Sequence, residues 1–145
     1  MTAKRGLEPQ TALVLADLDG QQARQIADMT PEEARAHIDA YVEKWDLDPK
    51  PAVGAVEDFE IPGPRDAPAI PVRLYRPVRP AAPGGLPLIV FFHAGGYVFG
   101  NIDSHDGFCR LMVAEAGCLM LSVGYRRSPG HKFPAAHEDC YAATS

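Results

Sequence analysis

Two adjacent glycines, Gly95 and Gly96, are the residues of this sequence whose type and position best suit chemistry. They follow His93 and Ala94, directly after an apolar run, in the stretch LPLIVFFHAGGYVFG. A glycine has no side chain to cover its backbone N–H, so a substrate oxygen can approach that amide closely. Backbone N–H groups used in this way stabilise negative charge that develops on an oxygen during a reaction. The pair therefore predicts a binding site for a substrate oxygen.

The residues before this pair predict the strand that carries it. Leu88–Phe92 is an unbroken apolar run between Pro87 and the glycines. A short run without polar alternation is typical of a strand covered on both faces, as in the centre of a parallel sheet with helices above and below. Ligands of such sheets bind beyond the carboxyl ends of the strands. We therefore expect Gly95 and Gly96 at a binding edge of the sheet.

A helix and a second apolar strand are predicted next. Ser104 is placed to cap the helix and Gly117 to end it. The predicted inner face consists of Phe108, Leu111, Met112 and Ala116. Residues 118–123, CLMLSV, form the second apolar run. A strand, a helix and a strand in this order predict a right-handed βαβ unit with parallel strands. A further helix is predicted to begin near Phe133.

The N-terminal part predicts helices followed by an antiparallel strand pair. Thr30, Pro31 and Glu33 form the start of a helix with a capping box. Residues 53–61 and 70–75 alternate apolar and polar side chains on either side of a Pro-Gly turn, which indicates an antiparallel pair at a sheet edge. We divide the chain into a helical cap segment, residues 1–52, and an α/β part, residues 53–145. Whether the helical segment is a packed layer or a lid over a pocket stays open at this point.

Composition and charge are those of an ordinary globular domain. The 145 residues are 46% hydrophobic and 23% charged, which suits one domain with a core. The net charge of −5, without a basic run, argues against nucleic-acid binding. The apolar stretches are too short to span a bilayer, and no apolar segment follows Lys4 and Arg5 as in a signal peptide. Three cysteines, an odd number in apolar surroundings, favour free thiols in a reducing cytoplasm.

The first apolar strand has too few neighbours in this sequence. A strand as apolar as Leu88–Phe92 needs a partner on each side, and residues 118–123 supply one of them. The other strands are predicted to be edge strands. The sequence thus predicts the first half of a larger α/β domain. An open apolar edge of this kind promotes self-association, or pairing with a complementing C-terminal half.

Two longer stretches, FFHAGGYVFG and LSVGYRRSPGHKFPAAHEDCYAA, carry a resemblance to a known family. Over residues 55–145 the chain resembles the hormone-sensitive-lipase-like branch of the α/β-hydrolase esterases, and the N-terminal helices are similar to that family's cap segment. Residues 93–96 stand at the family's HGGG-type motif, one wall of the oxyanion hole. The resemblance implies the N-terminal half of an α/β-hydrolase fold: an edge strand pair, a parallel βαβ unit and a helical cap segment.

The resemblance also implies roles for individual residues. The backbone N–H groups of Gly95 and Gly96 are expected to donate to the oxyanion of an ester substrate. His93 is expected to anchor this loop by hydrogen bonds. Tyr97 and Phe99 are expected to bind substrate and to favour small to medium apolar acyl groups. No metal ion and no cofactor is implied.

The sequence departs from the family pattern in two places. Ala94 replaces the first glycine of the motif, which costs about 1 kcal/mol only if its φ is positive. Arg127 and Ser128 stand where the family usually has Leu-Ala, and Gly130 where it has Glu. These changes predict a loop that is more polar and looser than usual, and we assign no chemistry to it.

The catalytic nucleophile expected for this family is missing from the sequence. The family places a serine in a Gly-x-Ser-x-Gly turn on the strand that comes next. The serines present, none of which lies in such a turn, are Ser104, Ser122, Ser128 and Ser145. The acid and the base histidine of the family also come later. The 145-residue chain alone is therefore predicted to be inactive.

Two functions of different classes follow from these observations. The first is a carboxylic-ester hydrolase to which this chain contributes the oxyanion-hole half of the site. The second is a non-catalytic module that acts through its exposed sheet edge. A phosphate-binding loop is disfavoured, because AGGYVFG lacks the G-x-G-x-x-G spacing and the lysine of such loops. A metal site is disfavoured because its candidate ligands match no common spacing; they are His131, His137, Asp139 and Cys140.

Overall fold

The computed structural model describes residues 6–20, 26–79 and 84–145. Within these ranges the helices are α1 (Pro9–Gly20), α2 (Pro31–Trp45), α3 (Asp106–Ala116) and α4 (Ala135–Ala142), with short 3-10 helices at Ile26–Asp28 and Asp103–His105. The strands are β1 (Ala55–Ile61), β2 (Ile70–Arg76), β3 (Leu88–Phe92) and β4 (Leu119–Val123). None of the helices in the described ranges has the length and apolarity needed to cross a membrane.

The described strands form one mixed sheet in the order β1-β2-β4-β3. β1 and β2 are antiparallel, with Ala55 opposite Arg76. β3 and β4 are parallel, with Leu88 opposite Leu119, and α3 crosses between them. The predicted antiparallel pair and the predicted parallel βαβ unit are therefore both confirmed. β2 also pairs with β4, in antiparallel orientation.

The order of the strands corrects two expectations about burial. β3 was predicted to be covered on both faces, but Leu88 is 51% exposed, because β3 pairs only with β4 among the described strands. β2 was predicted to be an edge strand, but it lies inside the sheet and buries Ile70, Val72 and Tyr75. The apolar run that is fully enclosed is β4, whose last four residues are all buried.

Both faces of β2 and β4 carry the core, because side chains alternate between the two faces of a strand. One cluster consists of Ile70, Val72, Leu121 and Val123, with Ala142 and Ala143 packed against it. The other consists of Tyr75, Cys109, Val113 and Met120, on the α3 side. Burying a large apolar side chain stabilises the folded state by roughly 1.5–3 kcal/mol. These clusters therefore keep the ends of β3 and β4 at a fixed distance from each other.

Helix α3 differs from its predicted form at its start and on its inner face. Ser104 does not cap it; Ser104 lies in the preceding 3-10 helix, where its hydroxyl accepts the Asn101 N–H at 2.8 Å. Cys109 and Val113 are the buried apolar residues of the helix, whereas Phe108 is 45% exposed. Phe108 instead contacts Phe91 of β3, with the ring centroids 5.3 Å apart. Gly117 ends the helix in the left-handed region, as predicted.

Helix α2 begins as the sequence predicts and packs on the α/β part. The Thr30 hydroxyl accepts the Glu33 N–H at 3.2 Å, and the Glu33 carboxylate accepts the Thr30 N–H at 2.9 Å. Ala34 is 2% exposed. Behind the helix, a Cβ on Gly107 would collide with the Asp46 carboxylate. The segment after α2 and the start of α3 therefore meet closely at Gly107, where a larger residue would require the Asp46 side chain to move.

A buried carboxylate, Asp106, joins the helical segment to the sheet. It accepts hydrogen bonds from the Tyr75 hydroxyl (2.9 Å), Lys50 Nζ (3.1 Å) and Arg110 Nε (2.8 Å), and Arg73 lies at 3.5 Å. Burial alone would raise the pKa of Asp106, but the bonds from Arg110, Tyr75 and Lys50 outweigh burial and hold its pKa below the ordinary value. Removing one member of such a buried, hydrogen-bonded cluster is costly, because the groups that remain lose a partner that water does not replace.

Replacing this carboxylate should destabilise the protein far more than replacing its exposed neighbour. We expect Asp106→Asn to lower the free energy of unfolding by about 3 kcal/mol, because three cations lose their buried partner. Asp103 also contacts Arg73, at 2.8 Å, but its side chain is 80% exposed, so Asp103→Asn should cost less than about 1 kcal/mol. Urea denaturation of both variants tests this; equal losses would show that Asp106 is not the organising charge.

Candidate active site

The loop after β3 turns sharply at the two glycines. Gly95 and Gly96 have φ of 131° and 58°, and the next residue, Tyr97, has φ of 63°. The Gly95 carbonyl closes the turn by accepting the Val98 N–H at 3.0 Å and the Phe99 N–H at 2.9 Å. A positive φ is uncommon for a residue with a side chain and costs free energy unless the surrounding structure holds it. The two glycines adopt a positive φ without this cost, whereas Tyr97 must be held there by its surroundings.

The direction of the Gly96 N–H follows from the bonds of the Gly95 carbonyl. Both groups belong to one trans peptide unit, in which the C=O and the N–H point in opposite directions. The carbonyl is turned toward Val98 and Phe99 by the two bonds that it accepts. The Gly96 N–H therefore points away from that part of the loop.

The same reasoning fixes the Gly95 N–H. It shares a peptide unit with the Ala94 carbonyl, which lies 3.0 Å from Nδ1 of His93. A carbonyl can only accept, so Nδ1 carries the proton in this pair. The Gly95 N–H consequently points away from the His93 ring. Across the described residues, neither glycine amide donates a hydrogen bond to the protein.

His93 is itself held firmly, in keeping with the anchoring role expected for it. Its side chain is buried and stacks on the Tyr125 ring at a centroid distance of 4.1 Å. The Tyr125 hydroxyl donates to the His93 carbonyl at 2.6 Å. Burial lowers the pKa of His93 and raises the pKa of Tyr125 to about 12. Both side chains are therefore neutral near pH 7, and the loop rests on a neutral stacked pair.

Gly95 and Gly96 are among the residues that line a cavity of about 530 Å³ beyond the end of β3. Its walls are mainly apolar and aromatic, which suits an uncharged organic group. The lining residues are Phe92, His93, Ala94, Gly95, Gly96, Tyr97, Tyr125, His137 and Cys140. The structure thus brings four of the predicted site residues together around one space; they are His93, Gly95, Gly96 and Tyr97.

The two aromatic residues expected to bind substrate occupy different places. Tyr97 is 49% exposed at the cavity, with its ring 4.9 Å from the His137 ring. Phe99 is partly buried and is not among the described residues that line the cavity. Its carbonyl blocks the space where a side chain on Gly95 would lie. Phe99 therefore shapes the loop, and its contact with substrate stays a prediction.

The departures from the family pattern leave the loops well supported. The φ of Ala94 is not positive, so its methyl group adds no backbone strain. Arg127 donates to the Gly100 carbonyl, and the Ser128 N–H donates to the Tyr97 carbonyl at 2.8 Å. Whether this loop is looser than in relatives stays a prediction, but residues 125–130 are bound to the glycine loop by these two hydrogen bonds. Arg127 ties this loop to the one that carries the glycines through its side chain, and Ser128 does so through its backbone N–H.

Sequence reasoning missed the ion pair that supports the loop after β4. Asp139 of α4 is 1% exposed, and it accepts bonds from the Arg126 guanidinium at 2.8–3.0 Å and from the Arg126 N–H at 2.9 Å. Asp139 had been considered only as a metal ligand. The signal that could have found the pair is the spacing of an arginine after β4 and an aspartate in the next helix.

Comparison with known sequences places the chain among esterases. A profile of the α/β-hydrolase fold matches residues 89–145. The chain is 45% identical over 111 residues to the carboxylic ester hydrolase LipN of Mycobacterium tuberculosis, covering 76% of this chain and 27% of LipN. It is 43% identical over 81 residues to an ethyl acetate hydrolase of Pseudomonas putida, covering 54% of this chain and 25% of that protein. The chain thus spans about a quarter of the length of these relatives.

Solved structures agree with the sequence comparison. An α/β hydrolase from the metagenome of Lake Arreo, Spain, superposes with a TM-score of 0.81 at 35% identity, over 94% of this chain and 43% of that one. The Pyrobaculum calidifontis esterase gives a TM-score of 0.76 at 34% identity, over 94% and 41%. The chain belongs to the α/β-hydrolase family, among proteins named as esterases, and covers only an N-terminal region of that fold. The predicted fold class and family resemblance are confirmed.

Adding a methyl group should distinguish the two glycines of the loop. A Cβ at Gly95 would collide with the Phe99 carbonyl, whereas a Cβ at Gly96 would meet nothing within 4 Å. We expect Gly95→Ala to lower the free energy of unfolding by at least about 2 kcal/mol. Gly96→Ala should lower it by about 1 kcal/mol, because only the positive φ disfavours alanine there. Gly130→Ala, where the nearest atom would lie at 3.7 Å, is the control. Thermal unfolding of the three variants gives the order, and equal effects at Gly95 and Gly130 would contradict the loop geometry.

The buried imidazoles should make stability depend on pH. Burial lowers the pKa of His93 and His105 below the ordinary 6.5, so the folded chain keeps both neutral while the unfolded chain takes up protons. Stability is then complete above pH 6.5 and falls as the pH drops below it, by at most about 1.4 kcal/mol per pH unit for each histidine. Urea midpoints measured from pH 7.5 to 5 test this. His93→Asn should flatten the dependence, and an unchanged slope would contradict the assignment.

Proposed function

We propose that the protein is a carboxylic-ester hydrolase in which this chain supplies the oxyanion hole. The observation that carries the proposal is the pair of glycine amides whose directions are set by bonds to their own peptide carbonyls. Both glycines line an apolar cavity at the carboxyl end of a parallel strand, where such sheets bind ligands. The family membership of the chain supports the same activity.

In this proposal the amides act on charge that exists only during the reaction. A serine oxygen attacks the ester carbonyl carbon, a histidine takes the serine proton, and the carbonyl oxygen becomes an oxyanion. The Gly95 and Gly96 N–H groups donate to that oxyanion. The tetrahedral intermediate collapses, and the alcohol leaves with the proton; water then releases the acid by the same steps. Because the two amides are already oriented, they need little rearrangement when the charge appears.

The serine, the histidine and the acid that orients it come from residues outside these 145, in a complementing part or a second chain. The serines of this sequence lie outside any Gly-x-Ser-x-Gly turn. β3 offers a place for the missing strand, since its Leu88, Ile89 and Phe92 side chains are at least 36% exposed. A strand paired there would end beside Gly95 and Gly96, within reach of the cavity. We propose the cytoplasm as the compartment of this protein, because its cysteines are free thiols.

The lining of the cavity indicates which class of ester substrate the protein takes. Phe92, Tyr97 and Tyr125 give it an apolar aromatic wall, which favours small to medium apolar acyl groups. One relative is named for its action on ethyl acetate, a small ester of this kind. We extend that class, and not the individual substrate, to this protein.

The exposed edge of β3 also supports the alternative function, a non-catalytic module that acts through protein contacts. An apolar edge strand with unpaired backbone groups is a template for pairing with another chain. Sedimentation of the 145-residue chain separates the two. A well-behaved monomer at micromolar concentration favours a self-sufficient module, and concentration-dependent association favours a site that is completed by another part of the fold.

The isolated chain should not hydrolyse esters. We expect no turnover of p-nitrophenyl butyrate above the buffer rate, because the oxyanion hole alone has no attacking oxygen beside it. The measurement is the release of p-nitrophenol with and without a serine-directed phosphonate. Turnover that the phosphonate abolishes would show a nucleophile within these residues and would contradict the proposal.

A chimera tests the activity itself. Residues 1–145 joined to the C-terminal remainder of the Pyrobaculum calidifontis esterase should hydrolyse p-nitrophenyl butyrate. Gly95→Ala keeps the backbone N–H, but its methyl group would collide with the Phe99 carbonyl and displace the amide. In the chimera it should therefore lower kcat by up to about 10²–10³, the usual effect of losing an oxyanion donor. Gly130→Ala should leave kcat unchanged. A folded chimera that is inactive, or one in which Gly95→Ala retains full kcat, would overturn the proposed function.

A further inference from the structure

One arginine of the helical segment reaches both loops beside the candidate site. Arg35 lies on α2, and its Nε donates to the Val98 carbonyl at 2.9 Å. Its Nη2 donates to the Ser128 carbonyl at 2.5 Å. The acceptors are 63 and 93 residues away in sequence, and both bonds are partly buried. A single side chain therefore fixes the glycine loop and the loop after β4 to the same helix.

The bond to Val98 reaches the oxyanion amide through two peptide units. The Val98 carbonyl shares a peptide with the Phe99 N–H, which donates to the Gly95 carbonyl at 2.9 Å. The Gly95 carbonyl in turn shares a peptide with the Gly96 N–H. Since the C=O and N–H of each unit point in opposite directions, holding the Val98 carbonyl sets the direction of the Gly96 N–H.

The bond to Ser128 supports a second branch of the same arrangement. The Ser128 N–H donates to the Tyr97 carbonyl at 2.8 Å. That carbonyl shares a peptide with the Val98 N–H, which is the other donor to the Gly95 carbonyl, at 3.0 Å. Arg35 thus holds the Phe99 bond to the Gly95 carbonyl through one peptide unit. It holds the Val98 bond less directly, because the Ser128 carbonyl that it binds belongs to the peptide unit after the Ser128 N–H; there Arg35 fixes the position of Ser128 and not the direction of its N–H.

We infer that Arg35 is a positioning residue for the oxyanion hole, an inference that rests on the proposed function for its catalytic meaning. The planar guanidinium presents donors in a fixed fork, so it can hold two carbonyls at once, which the single ammonium group of lysine does less well. Bonds from a charged donor are stronger than neutral ones, and bonds in series polarise one another. The helical segment is then part of the support of the site, and not only a layer or a lid.

Amide hydrogen exchange of the full 145-residue chain tests the positioning without any ester. In Arg35→Ala we expect the Val98 and Phe99 amides to exchange at least about tenfold faster, since charged hydrogen bonds that hold their turn are lost. The Gly96 amide resonance should shift, while the amides of β4 keep their protection. Arg76→Ala is the control, because Arg76 pairs on the surface with Glu57. Unchanged exchange at Val98 and Phe99 in Arg35→Ala would overturn the inference.

Chemical rescue separates positioning from simple packing. Guanidinium ion at a low, non-denaturing concentration should restore protection of these amides in Arg35→Ala, and ammonium ion at the same concentration should not. If Arg35→Ala detaches α2 from the α/β part, Arg35→Lys is the variant that decides. Partial protection of the Val98 and Phe99 amides in Arg35→Lys supports the inference. Protection equal to that of the native chain overturns it. In the chimera, Arg35→Lys should lower kcat with little change in KM. An inactive chimera would count against the proposed function alone, because the exchange result does not depend on activity.

Discussion

The planarity of the peptide unit is the constraint on which the candidate site depends. A backbone amide has no side chain that could aim it, so its direction can be set only through the carbonyl on the other end of the same unit. In this protein the Ala94 carbonyl is held by His93, and the Gly95 carbonyl by two amides of the following turn. The amides of Gly95 and Gly96 acquire fixed directions as a result. The loop is thus organised by what its carbonyls accept.

This arrangement needs a framework stiff enough to hold uncommon backbone angles. Tyr97 has φ of 63°, and such a conformation costs roughly 1–3 kcal/mol where it is not supported. The support comes from two groups that bind the loop: Tyr125, which stacks on His93 and donates its hydroxyl to the His93 carbonyl, and the Ser128 N–H, which donates to the Tyr97 carbonyl. These groups rest in turn on the enclosed strand β4.

Local patterns in the sequence predicted local structure well, because the forces involved act within a few residues. The capping box at Thr30 and the left-handed glycine at Gly117 are examples. The βαβ unit and the family motif were equally readable. The sequence did not show which of the two apolar runs lies inside the sheet. Leu88–Phe92 and Leu119–Val123 are both short and apolar, so only the order of the strands distinguishes them. The apolar face of α3 was misjudged for the same reason, since Phe108 packs on β3, the outer strand of the described sheet, and stays 45% exposed.

Contacts between residues far apart in the sequence could not be predicted from local sequence patterns. Nothing near Arg35 in the sequence indicates that it meets carbonyls 63 and 93 residues away. Asp106 resembles any acidic residue in the first turn of a helix, yet it is a buried partner of three cations. In both cases the residue type was visible and the burial that gives it meaning was not, because burial is a property of the assembled layers.

The Cys140 thiol, which lies in the cavity wall, determines how the cavity reacts with thiol reagents. Burial, together with the neighbouring Asp139 carboxylate, raises the pKa of Cys140 to about 11. At neutral pH almost none of it is thiolate, and the thiolate is the reactive form. Maleimides and other soft electrophiles that enter this space are therefore expected to label Cys140 slowly at neutral pH.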